Sequence, residues 1–135
     1  MTRAERVIDV SVLAAALFDE ARGEEARSLL RGCDLIAPAH VFAEMTSVAA
    51  KKVWLGLADL QTAAEALQST ADFLKEVVDM QGLSASALKL SAEHRISAYD
   101  ALYLSLAAQR NSRVITFDGR LIRAARTAGL SHLVA

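Results

Sequence analysis

The stretch Arg6–Phe18, RVIDVSVLAAALF, changes character at one charge. Its opening residues RVIDV (Arg6–Val10) are short and β-branched, the pattern of a buried strand. The text that follows is rich in Ala and Leu, and Ser11–Glu20 reads as a helix. Asp9 is the only charge in the twelve residues from Val7 to Phe18. The same handover recurs near the end of the chain: RVITF (Arg113–Phe117) reads as a strand, Asp118 closes it, and Arg120–Ala128 reads as a helix.

Between these two points the pattern keeps alternating. Gly23–Arg31 is a helix with an apolar stripe of Ala26, Leu29 and Leu30, and DLIA (Asp34–Ala37) is a second short strand. Pro38 suits a first helical position, so Ala39–Leu55 reads as a long helix stopped by Gly56. Asp59 caps a helix through about Ala71. Val77 and Val78 tilt Phe73–Met80 to strand, and Ser84–His94 is helical. Ser97 caps Ala98–Arg110, and Ser131–Val134 is a last short strand. Strands alternating with helices give an α/β fold, with a mostly parallel sheet covered on both faces. Ligands of such sheets bind beyond the carboxyl ends of the strands, so an acid at such an end carries more weight than one elsewhere.

Composition narrows the class. The 135 residues suit one domain, 1–135, able to bury roughly two-thirds of its unfolded surface. Six Gly and one Pro argue against a turn-rich sandwich. A single cysteine, Cys33, excludes an internal disulfide and a Cys-rich zinc site. His40, His94 and His132 are too far apart for a local metal motif and read as surface or helix-end residues. The longest apolar stretch, Val10–Phe18, is half of the roughly 20 residues that a bilayer requires, so no membrane span is expected. Arg3 and Arg6 precede it as in a signal peptide, but Glu5 and Asp9 interrupt the pattern, and the protein reads as cytoplasmic. The net charge of −1 divides unevenly. Residues 1–100 hold 10 basic and 15 acidic side chains, a net of −5; residues 101–135 hold five arginines and Asp118, a net of +4. A basic end of this kind is either a solvated helix face or an edge that meets a polyanion.

Single acids interrupting apolar text are the most informative feature. Besides Asp9, Glu44 is alone in AHVFAEMTSVAA and Asp100 is alone in ISAYDALYLSLAAQ, while Asp118 ends VITFD. Each has an ordinary explanation as a helix cap, a first-turn acid or a solvated side chain. Jointly those explanations weaken, because Asp9 and Asp118 end parallel strands and Asp100 and Glu44 open helices at the same edge. Four converging carboxylates repel, by about 1 kcal/mol per pair at 4 Å in water and about 4 kcal/mol at an effective dielectric of 20. A hard divalent cation relieves that repulsion with oxygen ligands alone, and suits phosphoryl chemistry. An Asp-nucleophile phosphatase is disfavoured, because position 11, where a second Asp is usual, is Ser.

The segments VIDVSVL, PAHVFAEMTSV, SAYDALYLSLA and ITFDGRL together resemble a PIN-domain ribonuclease, specifically a VapC-type toxin of a toxin–antitoxin pair. The resemblance runs through essentially the whole chain, and the block around Asp100 is its most specific part. It implies a three-layer α/β/α sandwich and a Mg²⁺- or Mn²⁺-dependent endoribonuclease. By that resemblance Asp9, Glu44, Asp100 and Asp118 are the catalytic, metal-holding acids, with Ser11 and Thr116 as supporting hydroxyls. It also implies an RNA substrate and a cognate antitoxin. The alternative is a non-catalytic RNA- or protein-binding module on the same fold. Arg120 and Arg123 are the expected RNA-phosphate contacts: Arg120 stands two residues after Asp118 and Arg123 one turn on, whereas Arg113 begins a strand and belongs to the far edge. The mean hydropathy of +0.27 and the cluster Trp54, Leu55 and Leu57 point to a homodimer and to an apolar groove for the antitoxin.

Overall fold

The sheet has four parallel strands in the order β3-β2-β1-β4. A computed structural model describes residues 3–135. Strands β1 (Ala4–Ile8), β2 (Cys33–Pro38), β3 (Glu76–Val78) and β4 (Arg113–Ile115) form the middle layer. Val7 pairs with Ile36 of β2 and Val114 of β4, so β1 lies at the centre of the sheet. Helices α1 (Val10–Leu17), α2 (Gly23–Arg31), α3 (Val41–Trp54), α4 (Leu60–Phe73), α5 (Ser84–His94), α6 (Ala98–Gln109) and α7 (Gly119–Thr127) cover it.

The alternation of side chains along a strand divides the core into two. Val7, Ile36 and Val114 point to one face and pack with α6, Leu83 and Ala87 of the α5 region, and Leu121 and Ala125 of α7. Their neighbours Ile8, Leu35, Ala37 and Ile115 point to the other, against Val12 and Leu13 of α1, Ala26 and Leu30 of α2, and Val41 and Met45 of α3. The architecture is therefore a three-layer α/β/α sandwich, as expected. Helix α6 is buried without interruption from Asp100 to Ala107, because it lies on the sheet while α5 and α7 flank it. No helix among the described residues is long and apolar enough to cross a membrane.

Several boundaries differ from the sequence reading. β1 ends at Ile8, not Val10, because the Asp9 carboxylate accepts from Ser11 N and starts α1 at Val10. α1 ends at Leu17, with Asp19 in the left-handed region at φ 52°. Pro38 ends β2 instead of opening α3: it pairs with Val78, and Ala39 N donates to Val78 O at 2.9 Å, which carries the ladder past it. β4 stops at Ile115, since the backbone of the next residues turns to bond side chains instead of a neighbouring strand. The expected strand Ser131–Val134 is a 3₁₀ turn at Ser131–Leu133, and only Val134 bridges Val114. His40 caps α3 but is buried, not a surface residue.

The central place of α6 sets an expectation for stability. Leu104→Ala, at a fully buried position, costs about 2–5 kcal/mol in urea unfolding, whereas Leu88→Ala, on exposed α5, stays within about 0.5 kcal/mol. Similar losses at both positions would contradict the packing described here.

Candidate active site

Asp9 leaves β1 at the carboxyl edge of the sheet, and its N–H donates to Ile115 O of β4 at 3.3 Å. The residue is 3% exposed, and its carboxylate accepts three hydrogen bonds. Oδ1 accepts from Ser11 N at 3.0 Å and from Ser11 Oγ at 2.6 Å, and Oδ2 accepts from Thr116 Oγ1 at 2.7 Å. Each hydroxyl also accepts: Phe117 N donates to Ser11 Oγ and Asp118 N to Thr116 Oγ1, both at 2.9 Å. A hydroxyl has one proton, and both protons go to Asp9. The 3.4 Å approach of the two hydroxyl oxygens is thus a contact with no proton between them. Ser11 and Thr116 consequently do two things: they orient Asp9, and they fix the backbone that delivers Asp118.

The other three acids reach the same edge from helix starts. Asp118 caps α7, its Oδ1 accepting from Arg120 N at 2.9 Å. Asp100 lies in the first turn of α6, where Ser97 Oγ accepts from its N–H at 3.0 Å. Glu44 lies in the first turn of α3, and its Oε1 accepts from Tyr103 Oη at 2.7 Å. His40 Nε2 stands 3.3 Å from the same oxygen, and the His40 ring packs on Tyr99 and Tyr103.

Burial and mutual repulsion dominate the electrostatics. The Asp9 carboxyl is pushed above its ordinary range by burial, opposed by the Ser11 and Thr116 hydrogen bonds and reinforced by Asp118. Burial also raises Glu44, against the Tyr103 hydrogen bond and with the help of Asp9 and Asp100. Asp100 is raised by burial and by Asp118, with Arg120 opposing. The Tyr103 hydroxyl is held well above its usual value by burial and by Glu44, so it remains a donor. Burial pushes the His40 ring down, toward its neutral form.

Of the two arginines singled out by sequence, Arg120 sits among the acids. Its Nε is 3.9 Å from Asp100 Oδ2 and its Nη2 is 3.9 Å from Asp118 Oδ2, with the side chain 70% exposed. Arg123, one turn further along α7, is exposed and joins no ion pair among the described residues. Arg113 is at the start of β4, at the opposite edge of the sheet. Tyr103 and His40 did not stand out in sequence. A buried tyrosine hydroxyl needs a partner, and Tyr103 is one helical turn from Asp100, which was the available signal.

The donor set is all oxygen, and buried carboxylates that repel one another suit a hard divalent cation. Among the described residues no three His, Cys, Asp or Glu side chains close on a single point. Mg²⁺ and Mn²⁺ are commonly held by one or two carboxylates and keep several waters.

A family model for the PIN domain matches residues 6–127. Three solved structures share the fold. PAE2754 from Pyrobaculum aerophilum has a TM-score of 0.67 at 20% identity, over 90% of this chain and 79% of that one. A toxin–antitoxin complex from Klebsiella pneumoniae has 0.62 at 19%, over 87% and 89%. VapBC2 from Rickettsia felis, bound to a DNA fragment from its promoter, has 0.59 at 16%, over 89% and 92%. No match is found among curated proteins.

The raised carboxyls make stability depend on pH in a defined direction. The folded state holds these protons to higher pH than the unfolded chain, so their contribution falls as pH rises from the ordinary carboxylate range through the raised values. Asp100→Asn removes one charge from the cluster. Without divalent ions it raises Tm at pH 7 by a few degrees, on the order of 1 kcal/mol. The gain shrinks at acid pH, toward the ordinary carboxylate range, as the wild-type carboxyl takes up its proton. Calorimetric scans at pH 7 and at acid pH check this, and a gain independent of pH contradicts it.

Proposed function

The chain belongs to the PIN domain family, and from that premise we propose that it is a divalent-metal-dependent endoribonuclease, the toxin of a type II toxin–antitoxin pair. The observation that carries the reading is the delivery of Asp9, Glu44, Asp100 and Asp118 to one sheet edge from four separate elements, with Arg120 paired to two of them. A structural role explains two helix caps, but not the burial of Asp100 and Asp9 beside further acids. The fold likeness to the Klebsiella and Rickettsia toxin–antitoxin structures supports the toxin assignment.

Asp9 and Asp100 are the principal ligands of Mg²⁺ or Mn²⁺, with Glu44 and Asp118 completing the shell directly or through water. Held there, such an ion would supply an activated water and charge stabilisation for the leaving oxygen of an in-line displacement. The protein's contribution is orientation. Ser11 and Thr116 favour the ionised form of Asp9 against its burial and aim it, and Tyr103 fixes Glu44 through Oε1. Hydroxyls and a tyrosine in these places do what outer-shell partners do for metal ligands generally.

Two protein partners follow from the apolar surface. An open cavity of about 280 Å³ lies between α3 and α4, lined by Ala49, Val53, Trp54, Leu60, Ala63 and Leu67. Trp54, Leu55, Leu57 and Leu60 are exposed beside it, and contiguous apolar surface of this kind marks protein–protein contacts. A second copy of the chain and a segment of the cognate antitoxin are the partners for this side of the molecule. With no membrane-spanning helix among the described residues, the proposed location is the cytoplasm.

Unstructured RNA is cut in the presence of Mg²⁺ or Mn²⁺ and left intact in chelator. Asp9→Asn and Asp100→Asn each lower the rate by more than the roughly 10–100-fold typical of losing an outer-shell partner, and weaken Mn²⁺ binding in calorimetry. Thr116→Val falls within that 10–100-fold range. Continued cleavage by the Asp9/Asp100 double variant would overturn the assignment, and Mn²⁺ binding with no cleavage of any RNA would favour the non-catalytic module. In sedimentation at micromolar concentration the chain runs at twice its monomer mass; a monomer there removes the homodimer.

A further inference from the structure

We propose that the cleft between the α5–α6 turn and α7 is a subsite for a backbone phosphodiester of the RNA strand, next to the bond that is cut; this rests on the ribonuclease reading of the acid cluster. The cleft measures about 280 Å³ and is lined chiefly by Arg95, Ser97, Asp100, Arg120, Arg123 and Thr127. Asp100 and Arg120 belong to both the cleft and the acid cluster, so the cleft opens directly off the site. Three arginines and one carboxylate leave its wall with two net positive charges, beside a cluster holding four carboxylates. A polyanion crossing the site is repelled by the acids wherever no cation screens them, and is drawn to this wall.

The division of labour among the arginines follows from their contacts. Arg120 is within 3.9 Å of both Asp100 and Asp118 and serves as their local counter-charge. Arg95 and Arg123 have no carboxylate within ion-pair distance among the described residues, and both are exposed. Arg95 comes from a separate element. It is the C-cap of α5, in the left-handed region at φ 54°, and its N–H donates to Ser91 O at 2.8 Å. That cap turns the chain toward Ser97, and Arg95 lines the cleft together with Arg123. Two guanidiniums from different elements, with the Thr127 hydroxyl nearby, form a donor set for phosphate oxygens. No aromatic ring lines the cleft, and its polar lining is mostly guanidinium donors. That set matches the oxygens of the sugar–phosphate backbone better than the edge of a nucleobase.

The test is binding of a fluorescent, unstructured 12-nucleotide RNA in chelator, where nothing is cut, measured as anisotropy across a range of salt. Each lost phosphate contact reduces the log–log salt slope of a single strand by about 0.7. Arg95→Ala and Arg123→Ala are each expected to lower the slope by that amount and to weaken binding about fivefold at 0.1 M salt, the factor that such a slope gives over a decade of salt. Arg95→Lys and Arg123→Lys retain the slope. Arg113→Ala, at the opposite sheet edge, leaves it unchanged. Unchanged slopes in both alanine variants overturn the subsite while leaving the ribonuclease reading intact. An equal loss in Arg113→Ala also overturns it, because binding is then a matter of overall charge. A wild-type chain that binds no RNA in chelator also overturns the subsite, while the ribonuclease reading stands or falls on cleavage with Mg²⁺ or Mn²⁺.

Discussion

Asp9 accepts two hydroxyl protons, one from each side of a junction between the first and last strands of the sheet. Ser11 follows it on α1 and Thr116 follows β4. An ionised carboxylate is costly to bury unless donors satisfy it, and these two donors are what make its 3% exposure tolerable. The same hydroxyls accept from Phe117 N and Asp118 N, so satisfying Asp9 and shaping the β4–α7 turn are one act. Removing either hydroxyl leaves a carboxylate oxygen short of a donor and a backbone N–H short of an acceptor. The position of Asp118, and with it that of Arg120, follows from this junction.

Around that junction the protein sets like charges near one another and keeps them from full solvation. Arg120, mostly in water, is a weak offset, since an exposed guanidinium at 3.9 Å is worth about 1 kcal/mol or less. The cluster is therefore in tension in the absence of a cation, the usual state of a functional site in a fold whose remaining parts agree with one another. The tension is confined to the carboxyl edge. At the amino edge Arg110 pairs with Glu5 at 2.8 Å and Glu76 at 2.9 Å, tying β1 and β3 together with opposite charges.

How much of this was legible in the sequence depends on the kind of signal. The α/β class was, because β-branched strands and Ala/Leu-rich helices alternate along the chain and leave little choice of architecture. The four acids stood out for the same reason: each interrupts a buried element. Element ends were less legible. Pro38 is as good a helix opener as a strand end, and only the pairing with Val78, 40 residues away, decides between them. The tail Ser131–Val134 has strand-like residues but only one bridge to Val114. Tyr103 and His40 were hidden because an aromatic in an apolar helix normally reads as core, and what distinguishes them is a bond to Glu44 on another helix. The basic run after residue 100 was also ambiguous: Arg110 turned out to tie the amino edge, while Arg120 stands at the carboxyl edge among the acids.

The strand order β3-β2-β1-β4 has a consequence for synthesis. The central strand is made first and its β4 neighbour last, and the Thr116–Asp9 hydrogen bond spans 107 residues. Contacts of such separation form late and only after much of the chain is in place. An emerging polypeptide can pair β1 with β2 early, but Asp9 lacks its second hydroxyl, and the cluster lacks Asp100 and Asp118, until α6, β4 and the start of α7 have left the ribosome. At about 5–20 residues per second that interval lasts several seconds or more. A protein whose assembled site attacks RNA would thus be harmless to the message it is being read from for most of its own translation.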